Sequence, residues 1–310
     1  MRVHVLGAAA GGGFPQWNCN CPRCDGLRRG TIRATARTQS SIALSDDGDN
    51  WLLVNASPDI LAQLRAAPFL QPARSLRDTA IRAVFLVDAQ IDHATGLLML
   101  REGPRLQVWC TPQVHEDLSR GLPLLRTLEH YCGVDWHPVD PDPEKPFAIP
   151  GLPGLRFRTV ALSSAAPPYS PHRGAPEPGD NVGLVVEDTR DGGMLFYAPG
   201  LGEIEPHLEP WLRSADAIMV DGTFWTDDEM IRLGVSKKRA REIGHLPQSG
   251  EGGMIEALRP YGDARRILIH INNTNPILDE DSPERAVLAA EGIEVAHDGL
   301  AFEIRGRRGA

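Results

Sequence analysis

The sequence predicts a layered α/β sandwich. Apolar, β-branched segments recur along the whole chain, and several are continuous apolar runs, as expected of strands covered on both faces. The strands come first in groups and are then separated by helices, a pattern unlike that of a simple doubly wound sheet. Strands are expected at residues 2–6, 41–44, 51–55, 83–87, 106–110, 155–162, 182–187, 194–197, 217–221, 266–271 and 293–295. The first of them enters the glycine loop Gly11-Gly12-Gly13. A helix is expected over 59–66, because Ser57-Pro58 supplies an N-cap followed by proline at the first helical position. Residues 112–120 and 252–258 also read as helical, the second ended by Arg259-Pro260. The proline-rich stretch 138–180 reads as irregular surface, and 163–180 is long enough to be a binding loop or lid. No repeat or linker divides the chain, so one domain spanning 1–310 is expected.

Composition narrows the function. The chain has 310 residues, 42% hydrophobic and 24% charged, with a net charge of −9, which argues against nucleic acid as the main partner. The basic run Lys237-Lys238-Arg239-Ala240-Arg241 reads as a solvated helix face. No run approaches the roughly 20 apolar residues of a membrane span, and His4 with the glycine loop spoils any likeness to a signal peptide. Cytoplasm is the expected compartment, with no membrane insertion. Oligomeric state stays open, a homo-oligomer included.

Chemistry-bearing side chains gather where apolar runs end. The run Val84–Val87 stops at Asp88-Ala89-Gln90-Ile91-Asp92-His93, and Gly96-Leu97-Leu98 reads as the helix start that follows. Asp92 and His93 suit zinc, iron, manganese or nickel. His270 ends the apolar strand Ile267-Leu268-Ile269, Asp221 ends Ile218-Met219-Val220, and His245 lies in Gly244-His245-Leu246-Pro247 before an expected helix. Polar groups at strand ends and adjoining loops are what an open α/β site requires. Cys19, Cys21 and Cys24 form a separate C-x-C-x-x-C cluster, suited to a closed zinc or iron–sulfur site whose fourth ligand comes from elsewhere.

These strings carry a family resemblance. Gly11 to Cys21, Asp88 to His93, Asp221-Gly222-Thr223-Phe224-Trp225 and His270 to Pro276 resemble a branch of the metallo-β-lactamase superfamily encoded with the genes for the redox cofactor pyrroloquinoline quinone (PQQ). The match runs nearly end to end. It implies an αββα sandwich with a metal site at one edge, where Asp92, His93 and His270 hold a single ion. Asp88 and Gln90 stand where the superfamily's His-x-His-x-Asp-His loop has its first two histidines. The bridging aspartate expected after the strand at 194–197 is replaced by Ala198-Pro199-Gly200. A phosphodiesterase relative places a histidine on its structural zinc three residues past the late ligand. Asn273 occupies that position here, so Asn273 or His270 is expected to complete the zinc shell of Cys19, Cys21 and Cys24.

The resemblance thus implies a site unlike that of a two-metal hydrolase. Two histidines and one carboxylate form the ligand set of non-haem Fe(II) oxygenases. The expected activity is hydroxylation of the tyrosine ring of a cross-linked Glu–Tyr diamino acid, the PQQ precursor. Asp221 and His245 are expected to orient substrate or transfer protons, and Asp88 and Gln90 to bind substrate. The alternative is a non-catalytic carrier that moves PQQ or its precursor toward the periplasm. A surviving hydrolase is disfavoured by the missing bridging aspartate.

Overall fold

The structure is a computed structural model that describes residues 1–307. In chain order, the strands of the first half are β1 (Arg2–Gly7), β2 (Ser41–Ser45), β3 (Trp51–Val54), β4 (Ile81–Phe85), β5 (Leu106–Cys110) and β6 (Val134–Pro138). Then come β7 (Leu155–Ala161), β8 (Val182–Asp188), β9 (Met194–Ala198), β10 (Ala217–Asp221), β11 (Arg265–Ile269), β12 (Ile293–Val295) and β13 (Ala301–Glu303). They form two mixed sheets, ordered β13-β1-β2-β3-β4-β5-β6 and β12-β11-β10-β9-β8-β7. Pairing is parallel from β3 to β6 and from β9 to β12, and antiparallel elsewhere.

Alternation along each strand builds the layers. Leu52 and Val54 of β3 join Met219 of β10 and Ile267 and Ile269 of β11 in the core between the sheets. Their neighbours point the other way. Trp51 and Leu53 meet Ile60 and Leu64, while Ile218, Val220 and Leu268 meet Leu212 and Leu258. Three apolar layers follow, and helices cover both outer faces. This is the αββα sandwich, and it explains why strand sequences such as Trp-Leu-Leu-Val read as unbroken apolar runs. Phe85, Phe157, Phe196 and Tyr197 are fully buried, and each such side chain contributes about 1.5–3 kcal/mol by leaving water.

The helices that matter to the site are α1 (Pro22–Arg29), α2 (Ile60–Ala66), α3 (Ile91–Ala94) and α4 (Pro112–Glu116). Several expectations shift. Thr111 caps α4 by accepting from Val114 N at 3.2 Å, but regular helix stops at Glu116 and a wider π-type turn runs from Asp117 to Gly121. The helix expected at 252–258 is Met254–Leu258. Gly96-Leu97-Leu98 is not a helix start, because α3 already opens at Ile91 and a 3₁₀ turn spans Thr95–Leu100. The basic run 237–241 is exposed at Lys237, Lys238, Arg239 and Arg241, but it is irregular up to a short 3₁₀ turn that opens at Arg241, not a helix face. Strand β6 (Val-Asp-Trp-His-Pro) was hidden by its polarity, and β13 by its brevity.

Close backbone approach fixes α3. Gly96 N donates to Ala56 O at 2.9 Å, and a Cβ at Gly96 would lie 2.1 Å from Ser57 O. The obstacle is backbone, so it cannot rotate aside. Gly96→Ala should therefore destabilise the protein by about 1–3 kcal/mol. Thermal unfolding measures this, and an unchanged Tm would show that the approach relaxes freely.

Candidate metal centre

The site lies where β4, β10 and β11 end at one edge of the sandwich. Asn55, just past β3, adopts a left-handed backbone (φ 62°) and its Oδ1 accepts from Val87 N at 3.2 Å, holding the chain beyond β4 in place. The next turn carries Asp88 and the first turn of α3 carries Asp92 and His93. His93 is buried, and its Nδ1 lies 2.8 and 2.9 Å from the two carboxylate oxygens of Asp88. With Nδ1–H donating to Asp88, Nε2 is the atom left to a ligand, and it is buried without a protein partner. An orphaned buried imidazole nitrogen is what a metal ligand looks like before its ion is counted. Burial opposes charge on His93, but Asp88 and Asp92 more than offset it and push its pKa up to about 9.

Asp88 is thereby corrected from a substrate-binding residue to the holder of His93. Its carboxylate is 4% exposed and also accepts from Gln90 N at 2.8 Å. Gln90 is half-buried at the start of α3, and its side chain does not cap the helix, so it remains open to a substrate.

Asp92 and His270 face each other, Oδ2 to Nε2, at 3.1 Å. Gly11 of the glycine loop lies over this carboxylate, since a Cβ there would come within 3.2 Å of Asp92 Oδ2. Burial would raise the Asp92 pKa, but His93 and His270 hold it well below the usual carboxylate range. His270 follows β11 with φ at 61°, and its Nδ1 sits 2.9 Å from Thr223 Oγ1. That hydroxyl donates to Asp221 Oδ1 at 2.5 Å. Thr223 therefore accepts from His270 Nδ1–H and leaves Nε2 to face Asp92.

Asp221 is fully buried. It accepts from Thr223 N at 2.8 Å, from Leu201 N at 3.1 Å and from His245 Nδ1 at 2.6 Å. Its oxygens are thus spent, and direct contact with substrate, one of its expected roles, is ruled out by burial. Asp221 instead orients His245, whose ring stacks on His270 with centroids 5.4 Å apart. Asp221, His245 and His270 bring ligand atoms as close together as Asp92, His93 and His270 do, each set within 4.8 Å. The first set is already hydrogen-bonded among its members and Thr223. In the second, Asp92 and His270 meet but His93 Nε2 has no partner, and its two-histidine, one-carboxylate chemistry fits a divalent transition ion.

Cys19, Cys21 and Cys24 also bring their sulfurs within 4.8 Å of one another. Cys21 precedes α1, and Cys24 is buried within it. Burial, with Cys19 and Cys24 close by, pushes the Cys21 pKa up to about 12. Such a crowded thiol set is relieved by a metal, which takes the thiolate form. The Asn273 amide lies 3.3 Å from Cys24 Sγ and 3.7 Å from Cys21 Sγ. His270 is committed to Thr223 and Asp92, while Asn273 lies against the sulfurs with Nδ2 facing them, so as a ligand it would have to turn its Oδ1 inward. No carboxylate replaces the absent bridging aspartate, because β9 ends in Ala198. Sequence reading missed Thr223 as the holder of His270. The signal was a hydroxyl two residues past a strand-end aspartate.

Comparison with known proteins agrees with this architecture. Residues 50–271 match the β-lactamase superfamily domain. Coenzyme PQQ synthesis protein B of Azoarcus sp. (strain BH72) is 63% identical over 98% of this chain and 100% of its own length. The protein of that name from Methylobacillus flagellatus is 62% identical over 97% and 99%. The crystal structure of Zn(2+)-bound PqqB from Methylobacterium extorquens superposes with a TM-score of 0.86 at 38% identity, covering 98% of this chain and 100% of that one. A diphosphatase of the PhnP family, 18% identical with a TM-score of 0.67 over 99% of each chain, shares the fold. This chain belongs to the coenzyme PQQ synthesis protein B family of the β-lactamase superfamily.

Proposed function

We propose that this protein acts in PQQ biosynthesis as a metal-dependent oxygenase that hydroxylates the tyrosine ring of the Glu–Tyr precursor. The observation that carries the reading is the convergence of Asp92, His93 and His270 on one point, with Asp88 turned away to hold His93 and no bridging carboxylate at β9. Asp92, His93 and His270 would hold a divalent ion, iron for this chemistry, and that ion would supply the activation of dioxygen. Zinc is proposed for Cys19, Cys21, Cys24 and Asn273, in keeping with the zinc-bound relative.

The remaining residues prepare that site. Asp88 and Thr223 fix the rings of His93 and His270. His245, held through Nδ1 by Asp221, keeps Nε2 as the atom that takes or returns the phenol proton. Among the described residues no helix is long and apolar enough to cross a membrane. Anaerobic loading with Fe(II), then O₂, a two-electron reductant such as ascorbate and the Glu–Tyr diamino acid, should give a product heavier by one oxygen, the second atom of O₂ leaving as water. His93→Ala and His270→Ala should abolish the gain. An unchanged substrate mass in metal-loaded protein would turn the reading to a soluble carrier.

The His93 environment sets a pH dependence. Below about pH 9 the metal-free imidazole carries a proton that must leave when an ion binds. Affinity at this site should therefore rise with pH and level off above about 9, gaining roughly one decade per unit from this proton. Chelator competition between pH 6 and 9 measures the slope. Asp88→Asn should weaken binding about 10–100-fold and flatten the slope, because the charge that keeps His93 protonated is gone.

A further inference from the structure

The proline-rich segment 163–180 is the connection between β7 and β8, and its contacts tie it to turns that carry the candidate metal centre. Its base is closed by Leu162 N donating to Asn181 O at 3.0 Å and Asn181 Nδ2 to Ser164 O at 2.6 Å. That base is stitched to the metal loop, because Val182 N donates to Val87 O at 2.9 Å and Asp88 bridges Asn181. One flank is seated on the α4 region. Thr111 Oγ1 donates to Gly179 O at 2.6 Å, and His172 Nε2 lies 3.3 Å from both Asp117 Oδ1 and Asp180 Oδ1. Gly121 permits this seat, since a Cβ there would lie 2.5 Å from Tyr169 O.

Two further contacts reach different turns of the site. Tyr169 donates its phenol hydroxyl to the carbonyl of Ala89, between Asp88 and Gln90. Ser164 Oγ donates to the carbonyl of Gly244 at 3.4 Å, next to His245. One segment therefore touches two of the three histidine-bearing turns through their backbone. We propose that 163–180 is a strap across the metal centre and that Tyr169 is a positioning residue, whose hydroxyl holds the Ala89 carbonyl and through it the Asp88–His93 pair. The proposal rests on the reading that Asp92, His93 and His270 hold an ion. Tyr169 touches neither the ion nor the reacting atoms. It sets how firmly the loop beneath the ion is held, and how readily a small precursor and O₂ enter.

The physical reason is local. Residues 88–90 are the turn between a strand and the four-residue α3, which supplies little rigidity of its own. Asp88 fixes His93 only as well as its backbone is fixed. Burial and the carboxylates of Asp117, Asp88 and Asp92 raise the Tyr169 pKa, so the phenol stays a donor.

Full-length protein loaded with Co(II) separates the two sites by spectrum. Thiolate charge-transfer bands report the cysteine cluster, and the weaker visible bands of the nitrogen–oxygen site are read in protein whose cysteine cluster keeps zinc, because Co(II) thiolates also absorb in the visible. During a chelator chase, Tyr169→Phe should speed decay of the visible bands about tenfold or more and leave the thiolate bands unchanged. Trypsin should cut faster at Arg173. Ser164→Ala, which frees only the other end of the strap, should speed cutting with a smaller effect on release. An unchanged release rate in Tyr169→Phe would overturn the positioning role. Absence of the visible bands from the wild-type protein would overturn the ligand assignment itself, and the proposal with it. Neither outcome depends on oxygenation, so failure of the hydroxylase reading remains separate.

Discussion

Negative charge gathered at one sandwich edge is the constraint on which the rest of this site depends. Asp88 and Asp221 are buried and Asp92 nearly so. An unpaired buried carboxylate costs several kcal/mol, so each must be answered locally. Here each is answered by an imidazole: Asp88 by His93, Asp221 by His245 and Asp92 by His270. The pairs are not equivalent. In the first two the carboxylate takes Nδ1 and leaves Nε2 free, the arrangement that raises basicity and fixes the tautomer. In the third, neutral Thr223 takes Nδ1, so both Asp92 and the Nε2 of His270 face inward. A dication at that point would neutralise the carboxylate left without a dedicated holder and give the orphaned Nε2 of His93 a partner.

The sandwich makes this arrangement affordable. Parallel strands β4, β10 and β11 end at a common edge, where side chains leave the apolar layers together. Asp221 and Ile269 are register partners across β10 and β11, which brings the turn after Asp221 beside His270. Gly222 N then donates to Ile269 O and Asn272 N to Thr223 O, so two neighbouring turns are locked as one. The position that holds a metal-binding histidine in superfamily hydrolases is occupied by Asp88, which the same backbone places behind His93. The change from ligand to ligand holder needs no change of fold.

Much of this was legible in the sequence because it resides in strand ends. Unbroken apolar runs located the buried strands, and the polar residues closing them gave Asp92, His93, Asp221 and His270. Sequence patterns reached less far where roles depend on direction. Asp88 reads as a candidate substrate contact until its carboxylate is seen under the His93 ring. Asp221 similarly reads as exposed chemistry at a strand end, whereas four hydrogen bonds consume it. Thr223 was invisible as a site residue because a hydroxyl matters here only through its distance from two rings. Polar or very short strands such as β6 and β13 lack the alternation from which strands are recognised.

The two candidate ion sites are built on one piece of chain. His270 and Asn273 are three residues apart, and the loop from Gly11 to Cys24 covers Asp92 at one end and supplies the cysteines at the other. His270 adopts a left-handed backbone, which costs a side-chain-bearing residue about 1–3 kcal/mol and persists only when its surroundings impose it. Those surroundings are visible: Ile271 N donates to Ala8 O, Ala10 N to Ile271 O, and Asn272 N to Thr223 O. Asn273 then meets the sulfurs of Cys21 and Cys24. The strained turn that aims His270 at Asp92 is thus pinned from the first strand on one side and from the cysteine loop on the other. An ion among the cysteines would tighten the second pin, which would give a closed cysteine site a physical role in holding the ligand turn three residues away.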